Sequence, residues 1–252
     1  ILPDRYPTGN SFAIFGAYSS AREVGGDYYD FIDFGSEKTG IIVADVSGKS
    51  LPGMLVMLLT RDIVKNLARP EVAPASLLTD VNTKLRRNIK KGMFVTMFYG
   101  VLNKKSGNLT FASAGHNPLI KLPAGKGDCQ LLKTPGYPLA MMPEKQFAAR
   151  IENAELNLAP GDWVIQFTDG INEARNGADE EFGMERFIEI LQSSRDLPAD
   201  KMIDAVVNDV ENFVGDAPQY DDITLLALKW SGRTVETAGG ENNSLKETSH
   251  VH

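Results

Sequence analysis

The order of hydrophobic and polar positions along the chain predicts strands first and helices second. Three early segments are rich in aromatic and β-branched residues and are separated by Gly, Ser and Lys, so we interpret them as strands. They are residues 11–20, 28–34 and 39–46. From Leu51 the period changes, because apolar residues then recur every four positions as far as Leu67. With Pro52 in the first turn and Pro70 beyond the end, the pattern predicts a long helix that ends at Arg69.

A second helix and a longer series of strands follow. The helix places Leu77, Val81, Leu85 and Ile89 on one stripe, opposite a face rich in Lys and Arg. Strands are then predicted at residues 94–103, 108–116, 119–122 and 129–133, along an alternating run from 150 to 158, and at residues 163–170. Two further helices, 182–193 and 198–214, precede a final strand at 222–230. Because helices occur in pairs between groups of strands, the order favours an α+β fold with two mainly antiparallel sheets and helices on their outer faces.

The length is compatible with one domain. A chain of 252 residues, 42% of them hydrophobic, can bury a sizeable core. We expect the domain to span residues 1–232, because residues 233–252 are polar and predict a disordered tail. Since the chain begins with Ile1 rather than Met, we also expect it to be an excerpt from a longer protein.

The composition excludes some classes of function. A net charge of -7 argues against a nucleic-acid partner, because binding to phosphate backbones requires clustered Lys and Arg. One cysteine and no signal peptide favour a reducing, cytoplasmic location. The longest apolar run, residues 54–59, is far shorter than a membrane span, so we expect no membrane contact by this domain.

Acidic residues recur where predicted strands begin or end. Asp27 follows a Gly pair, Asp45 and Asp169 end apolar strands, and Asp221 and Asp222 begin the last strand. Strand ends that converge would bring these carboxylates together, and their mutual repulsion would require a cation. Oxygen ligands without clustered His or Cys favour Mg²⁺ or Mn²⁺. The alternative for any one of these acids is an ordinary turn or cap.

Seven ordered motifs carry a resemblance to a known family. The motifs are AREVGGDYYDF, VADVSGKS, TMFYGVL, SAGHNPL, TDGINEARN, EFGMERF and QYDDITLL. From about Leu2 to Lys229 the chain resembles the SpoIIE/RsbU-type bacterial serine phosphatases, a branch of the PP2C-like metal-dependent phosphatases. This resemblance implies a four-layer αββα sandwich that holds two Mn²⁺ or Mg²⁺ ions at one end.

The resemblance also assigns roles to the acidic residues. Asp45 would bridge both ions, and the Val46 carbonyl would contribute to one of them. Asp169 and Asp221 would complete the shell of the first ion, and Asp27 would hold the second directly or through water. The implied reaction, which makes Asp45 and Asp169 catalytic, is direct attack of an activated water on phosphorus without a phosphoenzyme.

Other motif positions are assigned with alternatives. Asp222 belongs to the metal site as support for the ligands, because the wider superfamily often has Asn there. Arg22 matches a phosphate-binding arginine, although a structural salt bridge is equally compatible. Ser47 occupies the position of a His that is a proposed proton donor in PP2C proper, and we expect a structural role for His116. Cys129 lacks the Arg that a cysteine phosphatase requires, so we interpret it as a strand residue.

These observations predict a metal-dependent phosphatase acting on phosphoserine or phosphothreonine of a partner protein. The resemblance implies a small STAS-domain regulator of the anti-anti-sigma type as substrate, and control by an upstream sensory or receiver domain through the helix that begins near Lys49. A homodimer is compatible with this assignment. The alternatives are a catalytically weak signalling and dimerisation module, and a metal phosphodiesterase or pyrophosphatase, which explains the acids but not the motifs.

Overall fold

The computed structural model describes residue 3 and residues 5–48 and 51–232 of the chain. The predicted C-terminal tail, residues 233–252, lies outside the described residues, and so do Lys49 and Ser50 at the predicted start of the regulatory helix. Among the described helices, none is long and apolar enough to span a lipid bilayer.

Two antiparallel sheets form the centre of the described part of the chain. The six-stranded sheet A has the order β1 (Thr8–Gly9), β2 (Phe12–Ser19), β11 (Ile223–Trp230), β10 (Trp163–Phe167), β7 (Leu119–Leu122) and β8 (Gln130–Leu132). The five-stranded sheet B has the order β3 (Tyr28–Phe34), β4 (Lys38–Val46), β5 (Val95–Asn103), β6 (Asn108–Ala114) and β9 (Ala154–Asn157). Every strand pair is antiparallel, as the sequence predicts.

Helices cover the outer face of each sheet. On sheet B lie α1 (Leu51–Leu67), α2 (Pro74–Asn88) and α3 (Glu144–Ala148), and on sheet A lie α4 (Gly183–Ser193) and α5 (Ala199–Val214). Between the sheets, apolar side chains such as Ile14, Val43 and Leu226 form a buried layer. The predicted arrangement of two antiparallel sheets with outer helices is confirmed.

Three details of the structure differ from the prediction. The strand expected along residues 150–158 is only β9, because Ile151 turns toward the helical side of sheet B and packs there. The preceding short helix α3, which buries Phe147, carried no periodic signal that would have indicated it. In α1 the apolar repeat includes Leu55, which is 56% exposed, whereas Val56 and Thr60 face the core.

A buried carboxylate attaches α1 to β3. Asp30 Oδ2 lies 2.6 Å from Lys65 Nζ and 3.5 Å from Arg61 Nε, and it accepts a hydrogen bond of 2.8 Å from the Tyr28 hydroxyl. Asp30 Oδ1 accepts the backbone N–H of Phe31 at 2.8 Å. A charge buried this deeply is tolerated only when it is paired and hydrogen-bonded, so this cluster determines where α1 docks on sheet B.

We expect Asp30→Asn to lower the free energy of unfolding by about 1–3 kcal/mol. Breaking a buried ion pair costs about 3–5 kcal/mol, and here Lys65 and Arg61 are each about one-third exposed, which reduces the cost. Urea denaturation measures the difference. The matched control is Asp33→Asn three residues along the same strand, where the carboxylate is largely exposed. Equal stability of the two variants would contradict the anchoring role of Asp30.

Candidate active site

Antiparallel pairing brings acidic residues together at one end of the sandwich. In sheet B, Asp45 lies near the end of β4, and Asp27 immediately precedes β3, which is paired with β4 through Tyr28 and Ala44. Because the start of one strand lies beside the end of its antiparallel neighbour, these two acids are adjacent.

The same geometry is repeated in sheet A. Asp169 follows the end of β10, and Asp222 precedes the start of β11, which is paired with β10 through Phe167 and Leu225. Asp221 is the next residue outward, and its Oδ1 accepts the backbone N–H of Asp222 at 2.9 Å. Each sheet therefore presents acids from two neighbouring strands at the same end of the sandwich.

Electrostatic coupling shows that the two sets of acids share one site. Burial raises the pKa of Asp45 to about 7, with further increases from the charges of Asp169, Asp221 and Asp222 and a smaller opposing effect of a hydrogen bond with Asp27. Burial also raises the pKa of Asp27 well above its usual value, and the charge of Asp45 adds to this effect. The carboxylates thus converge closely enough to oppose one another's ionisation.

Two threonines of sheet A hold Asp27 across the interface between the sheets. Thr168 Oγ1 and Thr224 Oγ1 each donate a hydrogen bond of 2.6 Å to Asp27 Oδ2. Thr168 Oγ1 in turn accepts the backbone N–H of Thr224 at 2.9 Å, so the two hydroxyls have fixed directions. These bonds lower the pKa of Asp27 and partly offset its burial. Asp27 is therefore positioned by the opposite sheet.

Asp222 organises the loop that leads to Asp27. Its Oδ1 accepts the backbone N–H of Ala21 at 2.8 Å and the Ser20 hydroxyl at 3.3 Å, and its Oδ2 accepts the backbone N–H of Gly26 at 2.6 Å. Both oxygens of Asp222 thus accept hydrogen bonds from the protein, and its supporting role in a metal site stays a prediction. Arg22 is carried on the same loop with its side chain exposed.

Close backbone approach explains the glycine beside Asp27. A Cβ atom at Gly26 would lie 2.9 Å from the Val46 carbonyl oxygen, a distance that real Cβ atoms do not adopt. The Val46 carbonyl, which we predict to be a metal ligand, therefore faces the loop that carries Asp27 and Arg22. Gly170 after Asp169 is required for the same reason, because a Cβ there would collide with the Asp222 carbonyl oxygen.

The remaining predicted residues have different positions. The Ser47 hydroxyl accepts the backbone N–H of Phe94 at 2.9 Å, so it connects the end of β4 to the segment before β5. Cys129 is half-buried and immediately precedes β8. His116 Nδ1 lies 2.8 Å from Thr96 Oγ1, and burial lowers the pKa of His116 to about 3, so the imidazole is neutral.

Sequence reasoning missed residues that support the acids. Thr168 and Thr224 were visible only as neighbours of Asp169 and Asp222 in the motifs TDG and DDIT. Strand alternation offers a signal, because Thr224 and Asp222 are two positions apart and must share a face. Glu173 was also missed; its backbone N–H donates to the Asp169 carbonyl at 2.8 Å, and burial and then the Asp169 charge raise its pKa.

The donor chemistry of the site fits a hard divalent cation. Within the described ranges, no group of three or more His, Cys, Asp and Glu side chains is already arranged as a metal-binding set. However, Asp45 has an elevated pKa because other carboxylates surround it, and a cation would remove that cost. The available donors are carboxylate and carbonyl oxygens, which suit Mg²⁺ or Mn²⁺ better than softer metals.

Comparison with known sequences identifies relatives over most of the chain. The family described as Stage II sporulation protein E (SpoIIE) matches residues 35–231. Protein IcfG of Synechocystis sp. is 27% identical over 254 residues, which cover 90% of this chain and 39% of IcfG. Phosphoserine phosphatase RsbU of Bacillus subtilis is 28% identical, over 91% of this chain and 66% of RsbU. The chain thus spans about two fifths of one relative and two thirds of the other.

Solved structures share the fold. The SiaA-PP2C domain of Pseudomonas aeruginosa has a TM-score of 0.74 and 25% identity, with 86% of this chain and 84% of that chain covered. RsbX, solved in complex with magnesium, has a TM-score of 0.65 and 15% identity, with 90% of this chain and 99% of that chain covered. At 15% identity the second likeness shows the fold alone.

We expect Asp45→Asn to raise the midpoint of thermal unfolding when divalent cations are removed by a chelator at pH 8. In the folded chain the pKa of Asp45 is about 7, above its value of about 3.9 in an unfolded chain. Ionisation of Asp45 therefore weakens folding as pH rises between these values, and the amide removes that cost. Each 1 kcal/mol gained corresponds to about 2–4 °C in a domain of this size.

Scanning calorimetry at several pH values checks this expectation. The advantage of Asp45→Asn should disappear below about pH 4, where the carboxyl is protonated in both states. Asp33→Asn, on the same sheet at the opposite end of β3, is the control and should not show this pH dependence. If the unfolding midpoint of Asp45→Asn at pH 8 is not above that of the unmodified chain, the expected repulsion between Asp45 and its neighbouring acids is contradicted.

Proposed function

Because the chain belongs to the SpoIIE family, we propose that it is a metal-dependent phosphatase that removes phosphate from serine or threonine of a partner protein. The family match confirms the resemblance to SpoIIE/RsbU-type, PP2C-like phosphatase domains and the αββα fold predicted from the motifs. The observation that carries the proposal is that Asp27, Asp45, Asp169 and Asp221, from two sheets, lie at the same end of the sandwich.

We propose that these residues hold two Mn²⁺ or Mg²⁺ ions. Asp45 would be the shared ligand, since it is coupled electrostatically to the acids of both sheets. Asp169, Asp221 and the Val46 carbonyl would serve one ion, and Asp27 the other. RsbX, which has the same fold, was itself solved in complex with magnesium. When bound, such ions supply an activated water nucleophile and neutralise phosphoryl oxygens.

The protein itself contributes position and charge. Thr168 and Thr224 both donate to the same oxygen of Asp27 and so fix the direction of its carboxylate. Asp222 holds the loop from Ser20 to Gly26, and Arg22 is an exposed residue of this loop. In this position Arg22 would bind two oxygens of the substrate phosphate, a pairing for which the planar guanidinium is suited.

The departure at Ser47 affects the source of the leaving-group proton. Its hydroxyl oxygen accepts the backbone N–H of Phe94, and a serine hydroxyl does not ionise near neutral pH as a histidine does. We therefore assign no proton donor to this position. A direct hydrolysis needs no covalent intermediate on the chain, which agrees with a site composed of carboxylates.

By its resemblance to RsbU, the chain is proposed to act on a phosphorylated STAS-domain protein of the anti-anti-sigma type. The relative RsbU is a phosphoserine phosphatase, which supports phosphoserine as the group that is hydrolysed. The proposal includes a cytoplasmic location, which the single cysteine supports, and control by an upstream sensory or receiver domain. The second candidate function, a catalytically weak signalling module, is weaker because the complete set of acids is present.

Asp45→Asn and Asp169→Asn should each reduce Mn²⁺-dependent hydrolysis of p-nitrophenyl phosphate by at least ~100-fold. Loss of an outer partner of a metal ligand alone costs about 10–100-fold, and these residues are proposed to be ligands. The rate is measured at saturating Mn²⁺, with circular dichroism as a check of folding. Asp33→Asn makes the same change at the other end of the sandwich and should retain full activity. Full activity in either Asp45→Asn or Asp169→Asn would contradict the assignment of these residues as metal ligands.

Incubation with Mn²⁺ and phosphorylated STAS-domain proteins tests the substrate class. Intact mass spectrometry should show the loss of one phosphate from a phosphoserine- or phosphothreonine-bearing partner, and Asp45→Asn should leave the phosphate in place. A partner that binds the chain but keeps its phosphate would favour the signalling module. Hydrolysis of p-nitrophenyl phosphate without action on any STAS protein would overturn the substrate class and leave the phosphatase assignment intact.

A further inference from the structure

The loop between β6 and β7 crosses from sheet B to sheet A beside the candidate site. It contains His116 and Asn117 of the motif SAGHNPL, which the proposed mechanism does not use. Its two ends are anchored in different sheets. Ser113 at the end of β6 exchanges hydrogen bonds with His116, accepting its backbone N–H at 3.0 Å and donating to its carbonyl at 3.2 Å. The position of the imidazole is therefore well determined.

On the side of sheet B, the imidazole contacts the strand next to Asp45. His116 Nδ1 lies 2.8 Å from the hydroxyl of Thr96, and Thr96 is the direct cross-strand partner of Asp45. Directly opposed residues of an antiparallel pair project to the same face, with Cβ atoms about 4.5–5.5 Å apart. A displacement of Thr96 is therefore expected to displace Asp45 as well.

On the side of sheet A, the same loop holds the end of β10. Asn117 Nδ2 donates to the Phe167 carbonyl at 3.4 Å, and Gln166 Nε2 donates to the Asn117 carbonyl at 2.9 Å. Phe167 precedes Asp169 by two residues. Thus one short loop contacts the neighbour of Asp45 in one sheet and the approach to Asp169 in the other.

The chemistry of the surrounding groups defines the tautomer of the ring. His116 Nε2 is excluded from solvent and forms no regular hydrogen bond, and the backbone acceptor that acts on the imidazole is the Phe167 carbonyl. A carbonyl can only accept, and Nδ1 already faces the Thr96 hydroxyl, so we assign the proton to Nε2. Nδ1 is then an acceptor, and the Thr96 hydroxyl must donate to it.

We propose that His116, as the neutral Nε2–H tautomer, is a positioning residue that braces Thr96 and Asp45 of sheet B against the β10 end that carries Asp169. This inference rests on the proposed function. It assigns His116 no contact with the substrate and no proton transfer. Its effect is to keep the carboxylates of the two sheets at the separation that the cations require.

Two substitutions at Thr96 test the brace without disturbing the loop. Thr96→Val removes the hydroxyl but keeps the shape, and it should weaken Mn²⁺ binding by about tenfold, the lower end of the effect of outer partners. Thr96→Ser keeps the hydroxyl and should bind Mn²⁺ like the unmodified chain. Thr110→Val on β6, whose hydroxyl contacts only Asn108 among the described contacts, is the matched control. Titration calorimetry gives the affinities.

His116→Ala should weaken Mn²⁺ binding to the same extent as Thr96→Val. The double variant should bind Mn²⁺ no more weakly than either single variant, because both substitutions remove the same contact between His116 and Thr96. At saturating Mn²⁺, hydrolysis of p-nitrophenyl phosphate and of a phosphoserine peptide should fall by equal factors. Mn²⁺ affinities of both variants within twofold of the unmodified chain would overturn the brace. A selective loss on the phosphoserine peptide, with unchanged affinity, would also overturn it, because it would make His116 a proton donor.

The tautomer gives an independent readout in the metal-free protein. The chain has three histidines, and the His116→Ala variant assigns the signal of His116 in ¹H–¹⁵N spectra. The Nε2–H tautomer is expected, and Thr96→Val should shift Nδ1. An Nδ1–H tautomer would refute the inference even if the unmodified chain bound no Mn²⁺, whereas absence of Mn²⁺ binding with the expected tautomer would count against the proposed function alone.

Discussion

Repulsion among buried carboxylates is the constraint on which the functional end of this molecule depends. Asp27 and Asp45 both have raised pKa values because burial and neighbouring acids oppose their ionisation. The fold withstands this cost because the site lies at the rim of a large apolar layer, in which side chains of both sheets pack together. The acids are thus held in place by the packing of the sandwich and not by attraction to one another.

Each sheet supplies contacts that hold an acid or a loop of the other sheet in place. Asp27 belongs to sheet B by sequence but is fixed by Thr168 and Thr224 of sheet A. Asp222 belongs to sheet A but fixes the loop that enters sheet B, through Gly26. These reciprocal contacts mean that neither sheet contains a complete site. Small residues such as Gly170 are required where the backbones of the two halves approach most closely.

Much of the architecture could be predicted from the sequence, because alternation and four-residue repeats report directly on local burial. The strand over residues 28–34 matches β3, and the long helix differs from α1 only at its end. What the pattern could not indicate was which side of α1 faces inward, since Leu55 has the same spacing as the buried residues. The acids themselves were predictable from their place at strand ends. Thr168 and Thr224 were not, because their role appears only when two sheets that are distant in sequence are packed face to face.

The distribution of the site over both sheets couples ligand binding to folding. Any opening that separates the sheets near Asp27 dismantles the site, so a cation held as proposed would bind the closed sandwich. By thermodynamic linkage, the free energy with which a cation stabilises the closed sandwich equals the free energy by which closure strengthens cation binding. The apolar layer between the sheets consequently sets the distance between the acids of one sheet and those of the other. A change of one methylene at Val43 or Leu226, side chains of this layer that are not themselves proposed ligands, would therefore change cation affinity.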